Sequence, residues 1–363
     1  MLRLKLPVIF FLIFVHCISA KAQYNFQGKV VEASTNKPIP YASVYVNGSS
    51  QGGTTNGQGE FRFTSSIVIG ELIITSVGFQ TVSYPFNNPK DQNLIIKLEL
   101  KDNTLDEILI LTDEERAKYL KIFKDNFLGQ TQEARASTIK NIRDIYFIRN
   151  VDKSKGFTAK ADSSLVIINN RTGYKITFTL EGFSFNSNNK TTFFYGYTKY
   201  DDLIPLKKNY IRHRHQIYQG STMHFFRTMA DAVKVDSSFY MMELNSIENN
   251  GKKFDQGIPR NKSYLVKKDS TDNGVFILKF NERLRVQYSK STSSLKDLST
   301  RFFMGISSGG VPVSTLNLID SAVYFDKNGV VLNPLGMMYS GYWSFEKAAN
   351  MLPSDYQPTE DLK

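Results

Sequence analysis

The chain has 363 residues, 45 of them Lys or Arg against 34 Asp or Glu, for a formal net charge of +11, and it holds a single cysteine. One cysteine excludes a disulfide framework, so a chain of this length must be held by its own apolar core, and the length suggests about two domains.

The opening MLRLKLPVIFFLIFVHCISAKAQ places Arg3 and Lys5 before an apolar run from Leu6 to Val15, with Ala20 and Ala22 around Lys21. This is the pattern of a secretory signal peptide, 1–22, cut after Ala22; the run falls short of the roughly 20 residues that a membrane-spanning helix needs. Cys17 follows Val15 and His16, not the small residues that a lipidation site requires. Loss of Arg3, Lys5 and Lys21 lowers the net charge from +11 to +8, and no cysteine remains. The chain is therefore expected to be exported, to the periplasm or in association with the outer membrane. Its basic balance points to an anionic glycan, a lipid or another envelope protein as partner, with peripheral membrane association open and no nucleic acid expected.

From Phe26 to Leu100 short alternating runs recur between turn signals: FQGKVVE, YASVYVN, EFRF, ELIITSVGF and LIIKLEL. Strands this short and this evenly spaced predict a small antiparallel sandwich. Five Asn-Gly pairs begin at Asn47, Asn56, Asn250, Asn273 and Asn328, each read as a type I′ hairpin turn in which both central residues take positive φ. In GGTTNGQGEFRF, residues 52–63, Asn56, Gly57 and Gly59 join a strand ending near Thr54 to one on which Phe61 and Phe63 share a face. A calcium loop needs several acidic oxygens, and only Glu60 is near, so the stretch reads as a turn.

The succession GKVVEASTNKPIPYASVYVNGSSQGGTTNGQGEFRF…LIITSVGFQT resembles the carboxypeptidase-like regulatory domain, a transthyretin-like sandwich that Bacteroidetes proteins carry at the front of TonB-dependent receptors and other envelope proteins. The marks are G-x-V at Gly28 to Val30, P-x-x-x-A/V-x-V around Pro40 to Val46, G-x-x-T-x-x-x-G-x-F from Gly52 to Phe61, and G-F-x-T at Gly78 to Thr81. The resemblance implies a seven-stranded β-sandwich over 24–100 that serves as an accessory without catalytic residues; a shared fold does not fix an activity. In the linker that follows, 101–111, TLDEILIL resembles the L-D-E-V-V-V segment beyond the same sandwich in starch-utilisation-type receptors. That makes Leu105, Asp106, Glu107 and Ile108 a candidate TonB-box-like segment, with a plain strand or linker as the alternative.

Thr112 with Glu115 fits a capping box, Leu120, Phe123 and Phe127 line one helical face, and Gly129 stands where a C-cap belongs, so one amphipathic helix over about 112–128 opens a second domain, 112–363. Beyond Ala134 the runs DIYFI, SLVIINN, YKITFTLEGFSF, TTFFYGY, ILKF, RVQYSK and SAVYFDKNGVVL alternate. The fold class is mainly β, α+β overall, with a larger β-rich domain behind the helix. Whether that domain has one core or two is left open. The order of its segments also resembles a set of uncharacterised Bacteroidetes envelope proteins with no assigned activity.

Catalytic patterns are mostly absent. No histidine heads an H-x-x-E pair: three places after His213, His215 and His224 stand Gln216, Tyr218 and Arg227, so a zinc peptidase site is excluded. The RHRH stretch would put His213 and His215 on one face of a strand, beside arginines that repel a cation. Gly305, Ser307 and Gly309 have the spacing of a nucleophile elbow, but GVPVST follows in place of a helix, and no histidine comes after His224. Ser293 with Lys296 and Ser34 with Lys37 give S-x-x-K without K-T-G, and a phosphate loop ending in G-K is missing. A carboxylate pair drawn from Glu181, Asp201, Asp202 and Asp320 is the remaining enzymatic route.

The most distinctive charge cluster runs from Tyr197 to Met229 and interleaves Lys199, Lys207, Lys208, Arg212, Arg214 and Arg227 with Tyr and Phe. It is read as a candidate anionic-ligand face at Lys207, Lys208, Arg212, Arg214 and Arg227, or as a solvated surface on which long basic stems cover apolar side chains. The expectation is a non-catalytic envelope protein with a binding or assembly role, and no catalytic, cofactor or metal site. A TonB-linked uptake component or small outer-membrane barrel is the alternative, and an envelope glycan hydrolase a further one.

Overall fold

The computed structural model describes residues 23–89, 92–101, 111–149, 156–231, 238–249, 251–271, 274–289 and 311–358. Contacts divide the chain into two compact units, one of Met1–Val46 with Gln51–Lys101 and one of Asn47–Ser50 with Asp102–Lys363.

The first unit is a seven-stranded sandwich. Strands β1 (Tyr24–Glu32), β4 (Glu60–Ser65) and β7 (Gln92–Leu98) form one sheet in the order β4-β1-β7; β2 (Ser43–Val46), β3 (Gly52–Thr54), β5 (Ile69–Thr75) and β6 (Val82–Asn87) form the other in the order β3-β2-β5-β6. The period-two alternation sends Phe26, Val30, Val44, Val46, Phe61, Leu72, Ile74, Ile96 and Leu98 inward to one buried cluster. Pro85 removes a donor from β6, which is tolerated because β6 is an edge strand.

Residues 52–63 do turn a corner, although not by a type I′ turn. Neither Asn56 nor Gly57 has positive φ; Gly59 does, at 73°. The Asn56 carboxamide oxygen accepts from the backbone N–H of Gln58 and Glu60, and Gly59 N–H donates to Asn56 O at 3.0 Å. A Cβ on Gly59 would come within 2.6 Å of Val30 O, so glycine is needed both for the backbone angle and for the close approach. At the other described pairs only the glycine is left-handed, as at Gly48 and Gly329. Asn56 closes its turn with its side chain, at 326–330 the Asp326 carboxylate does so, and none of Asn47, Asn56 and Asn328 itself adopts positive φ. Asn250 and Asn273 lie outside the described residues.

The second unit opens with α1 (Asp113–Phe127), bounded by the expected capping box at Thr112 and Glu115 and by Gly129 at a φ of 95° just beyond the C-cap. Its Phe123 and Phe127 pack on a six-stranded sheet in the order β8-β11-β12-β10-β9, with β13 beside β12. These strands are β8 (Ser137–Ile139), β9 (Ile145–Arg149), β10 (Phe157–Ala161), β11 (Leu165–Asn169), β12 (Tyr174–Phe185) and β13 (Thr192–Asp202). Phe127 meets Phe178 edge-on at 4.8 Å. Between the helix and this sheet lies one apolar core.

A second core lies around a five-stranded sheet, β15-β14-β18-β19-β21, and a three-stranded one, β16-β17-β20. Their strands are β14 (Phe239–Asn249), β15 (Lys252–Arg260), β16 (Val266–Lys268), β17 (Val275–Leu278), β18 (Arg283–Tyr288), β19 (Val313–Leu318), β20 (Val323–Asp326) and β21 (Met337–Gly341). The unit thus has two cores among its described residues. The short helix α2 (Gln132–Arg135) precedes β8; α3 (Lys208–Tyr218) and α4 (Thr222–Ala230) bend at Gly220 and place Tyr218 in the first core and Phe225 and Phe226 in the second; α5 (Lys262–Leu265) precedes β16. Among the described residues the strands form five open sheets, and no helix is long and apolar enough to cross a membrane.

Candidate functional site

The basic cluster of 197–229 folds mainly as the helix pair α3 and α4, and the structure separates its cations. Arg214 is 6% exposed. Its guanidinium donates to the carbonyls of Thr172 and Gly173 and to Asp202 at 2.7–2.9 Å, and it lies 3.6 Å from the centre of the Tyr174 ring. Arg227 donates to the carbonyls of Asn328, Tyr356 and Ser354 at 2.8–2.9 Å. Both arginines are thus committed to backbone within the unit and do not join a ligand face. Lys207, at the N-cap position of α3 without a capping side-chain bond, and Lys208 and Arg212 on the helix are exposed, and Arg212 binds the Asn209 side chain.

His213, His215 and His224 are on helices and not on a strand. Two positions apart on α3, His213 and His215 point about 200° apart around the axis. His213 contacts the Arg171 carbonyl and His215 the Gln219 side chain, and burial lowers the affinity of both for a proton. Among the described residues no group of three or more His, Cys, Asp or Glu side chains is gathered as a metal would require.

Asp201 and Asp202 are adjacent on β13 and so face opposite sides of the sheet. Asp202 pairs with Arg214 on the core side, while Asp201 pairs with Lys199 and Lys175 on the outer side. They cannot act on one bond. Asp320 accepts from Asn333. Ser293, Lys296 and Ser307 lie outside the described residues, as do 1–22 and Leu105, Asp106, Glu107 and Ile108.

What the fold does assemble is the outer face of the six-stranded sheet, which the sequence reading passed over. On β13 the residues Phe194, Tyr200 and Asp202 face the core side, and Phe193, Tyr195, Tyr197, Lys199 and Asp201 face outward. A bulge in β12 between Leu180 and Gly182 changes the inward register: Ile176 and Phe178 are buried before it, Phe183 and Phe185 after it. The bulge sets Gly182 opposite Tyr195. A Cβ there would fall 2.3 Å from the Tyr195 ring, so the absent side chain lets the ring lie against the sheet.

Phe193 and Tyr195 are 47% and 52% exposed, with ring centres 5.5 Å apart. Further along the same face stand Lys199 and, on β12, Lys175. The result is a paired aromatic platform on β13 with a cationic end further along the same face. The signal for it is FFYGY, alternating aromatics with Gly196 paired beside the Glu181-Gly182 break, which reads in sequence only as a strand.

Residues 26–110 match the model of the CarboxypepD_reg-like domain. The front unit is a carboxypeptidase-regulatory-like domain. Among curated proteins none matches the chain. The regulatory-like domain is a non-catalytic, sandwich-type module, in agreement with the seven strands seen here, and the match reaches past β7 to include 105–108. The match ends at residue 110 and does not cover the residues of the aromatic platform.

Proposed function

We propose that the protein is a non-catalytic component of the cell envelope, exported to the periplasm or the inner face of the outer membrane, whose second unit binds an anionic glycan on the outer face of the six-stranded sheet. The regulatory-like domain is its accessory module. The observation that carries this reading is the platform of Phe193 and Tyr195: planar faces held open to solvent suit the C–H face of a sugar ring, and aromatic side chains give large contact area with little rotamer loss. Four to six positions beyond Tyr195 on the same face, Lys175 and Lys199 stand against one carboxylate, Asp201, which leaves a net positive charge at that end of the sheet for a carboxylate or sulfate.

The test is retention of the purified protein on polygalacturonate-coated beads. Phe193→Ala and Tyr195→Ala, both at exposed positions, are expected to weaken retention about tenfold each, since a stacked aromatic contact contributes on the order of 1 kcal/mol or more. Retention by both variants at the wild-type level, or hydrolysis of the polymer by the protein, would refute the reading.

A further inference from the structure

The regulatory-like domain carries a trough of its own. On the side of the sheet β4-β1-β7 away from the core lies a concavity of about 490 Å³, within the range of a few hundred to ~1,000 Å³ typical of small-molecule sites. The central strand supplies its floor, with Gln27 and Lys29 half-buried, and the two edge strands supply its rims, with Arg62 on β4 and Asn93 and Ile95 on β7 exposed. Register brings them together: Gln27 stands between Arg62 and Asn93, and Lys29 between Glu60 and Ile95.

The side chains of Gln27, Lys29, Arg62 and Asn93 have no hydrogen-bond or ion-pair partner among the described residues. Even Lys29 and Glu60, directly opposite each other, form no ion pair, and Glu60 is instead bonded to the Asn56 carboxamide at 3.1 Å. Two cations and two carboxamides therefore converge on one concavity with their donors uncommitted, beside an apolar wall at Ile95, which is 74% exposed.

We infer that this trough is a binding site for a short acidic saccharide. Arg62 and Lys29 meet the carboxylate, since charge-assisted donors are the strong ones and a guanidinium matches a carboxylate in two bonds. Gln27 and Asn93 each offer a donor and an acceptor, the pairing that vicinal hydroxyls need. Ile95 packs on the apolar face of the ring. One carboxylate, Glu60, against two cations leaves a single net positive charge, which matches one acidic group on the ligand. The site lies wholly within the first unit and does not rest on the aromatic platform.

The test is calorimetric titration of the purified protein with digalacturonate and with neutral galactobiose. With the platform, which takes the same class of ligand, disabled by Tyr195→Ala, saturable binding of the acid is expected to persist, to weaken roughly tenfold on adding Arg62→Gln or Lys29→Gln and to be partly kept with Arg62→Lys, from the loss of one charge-assisted contact. No saturable binding, or equal affinity for the neutral sugar, would overturn it. Loss of binding on Tyr195→Ala with none on Arg62→Gln would place the ligand on the second unit, overturning the trough and leaving the platform standing.

Discussion

The two units solve the same problem, holding a β-rich fold without disulfides, by different means. In the first, the buried cluster is apolar, and the polar groups it encloses are short-range: Thr55 accepts from Ala42 N–H and donates to Ile39 O. The second buries charge at Glu133, Arg214, Glu243 and Asp326, and its bonds reach far along the chain: Thr131 and Asn350 are 219 positions apart. The sandwich is held by a pattern, whereas the second unit depends on particular pairs. Its weak points should accordingly be single polar residues.

The sharpest way to break this contrast is Glu243→Ala. Glu243 is 1% exposed and accepts from Arg260 Nε and from Asn281 N–H, both at 2.6 Å. Truncation strands a guanidinium and a backbone donor, and the expected loss is about 3–5 kcal/mol. The single tryptophan, Trp343, is buried in the same core and bonded to Gly220 O, so urea unfolding followed by its fluorescence reads the change. A loss below about 1 kcal/mol, the value of a surface pair, would show that the buried pair does not hold this unit.

The matching test in the sandwich is apolar. Leu72 is fully buried between the two sheets, and Leu72→Ala is expected to cost about 3 kcal/mol through lost transfer energy and the cavity left behind. Replacing polar Thr55 by valine should cost less, on the order of 1–2 kcal/mol, as two hydrogen bonds are lost without stranding a charge. If Thr55→Val proved the costlier of the two by circular dichroism in urea, the sandwich too would depend on a specific polar contact.

This difference also explains what could be read from the sequence. Six of the sandwich strands follow from alternation and turn residues, because most inward positions are apolar; β6 escaped because Pro85 interrupts its run. In the second unit α1 was readable from its cap and its phenylalanines. The pair α3 and α4 was not, since Arg214 occupies a core position and a charged residue in RHRH reads as surface. Likewise FYMMELNSIEN conceals β14, whose buried Glu243 is inward only because Arg260 comes from the next strand. The aromatic platform depends on the bulge at Gly182, a register change that pairing reveals and composition does not.

A pH dependence sharpens the contrast further. The Glu346 carboxylate accepts from the N–H and hydroxyl of Thr222 at the start of α4; burial pushes it from 4.5 up to about 7, against those bonds, which pull it down. A carboxyl raised in the folded state binds its proton more tightly there than when unfolded. Its contribution is therefore complete below pH 4.5 and is lost as pH rises to about 7, by up to ~3 kcal/mol for this 2.5-unit window. Trp343-detected stability should fall from pH 5 to pH 8, and Glu346→Gln should flatten that part of the profile. An unchanged slope in Glu346→Gln would assign it to other groups.

The smallest expected effect lies at Thr112. Its hydroxyl accepts from Glu115 N–H at 3.3 Å, and the Glu115 carboxylate accepts from Thr112 N–H at 3.0 Å. Removal of the hydroxyl in Thr112→Ala leaves one orphan donor at the N-terminus of α1 and should cost about 1 kcal/mol, while Thr112→Ser keeps the bond and should cost only a few tenths. The helix is seated by Phe123 and Phe127, so the cap is a minor part of what holds it; Phe127→Ala should cost about 3–5 kcal/mol by comparison. If Thr112→Ala and Phe127→Ala came out equal in urea unfolding, α1 would be held by its end and not by its face. The second unit would then lean on local polar contacts even where its core is wholly apolar.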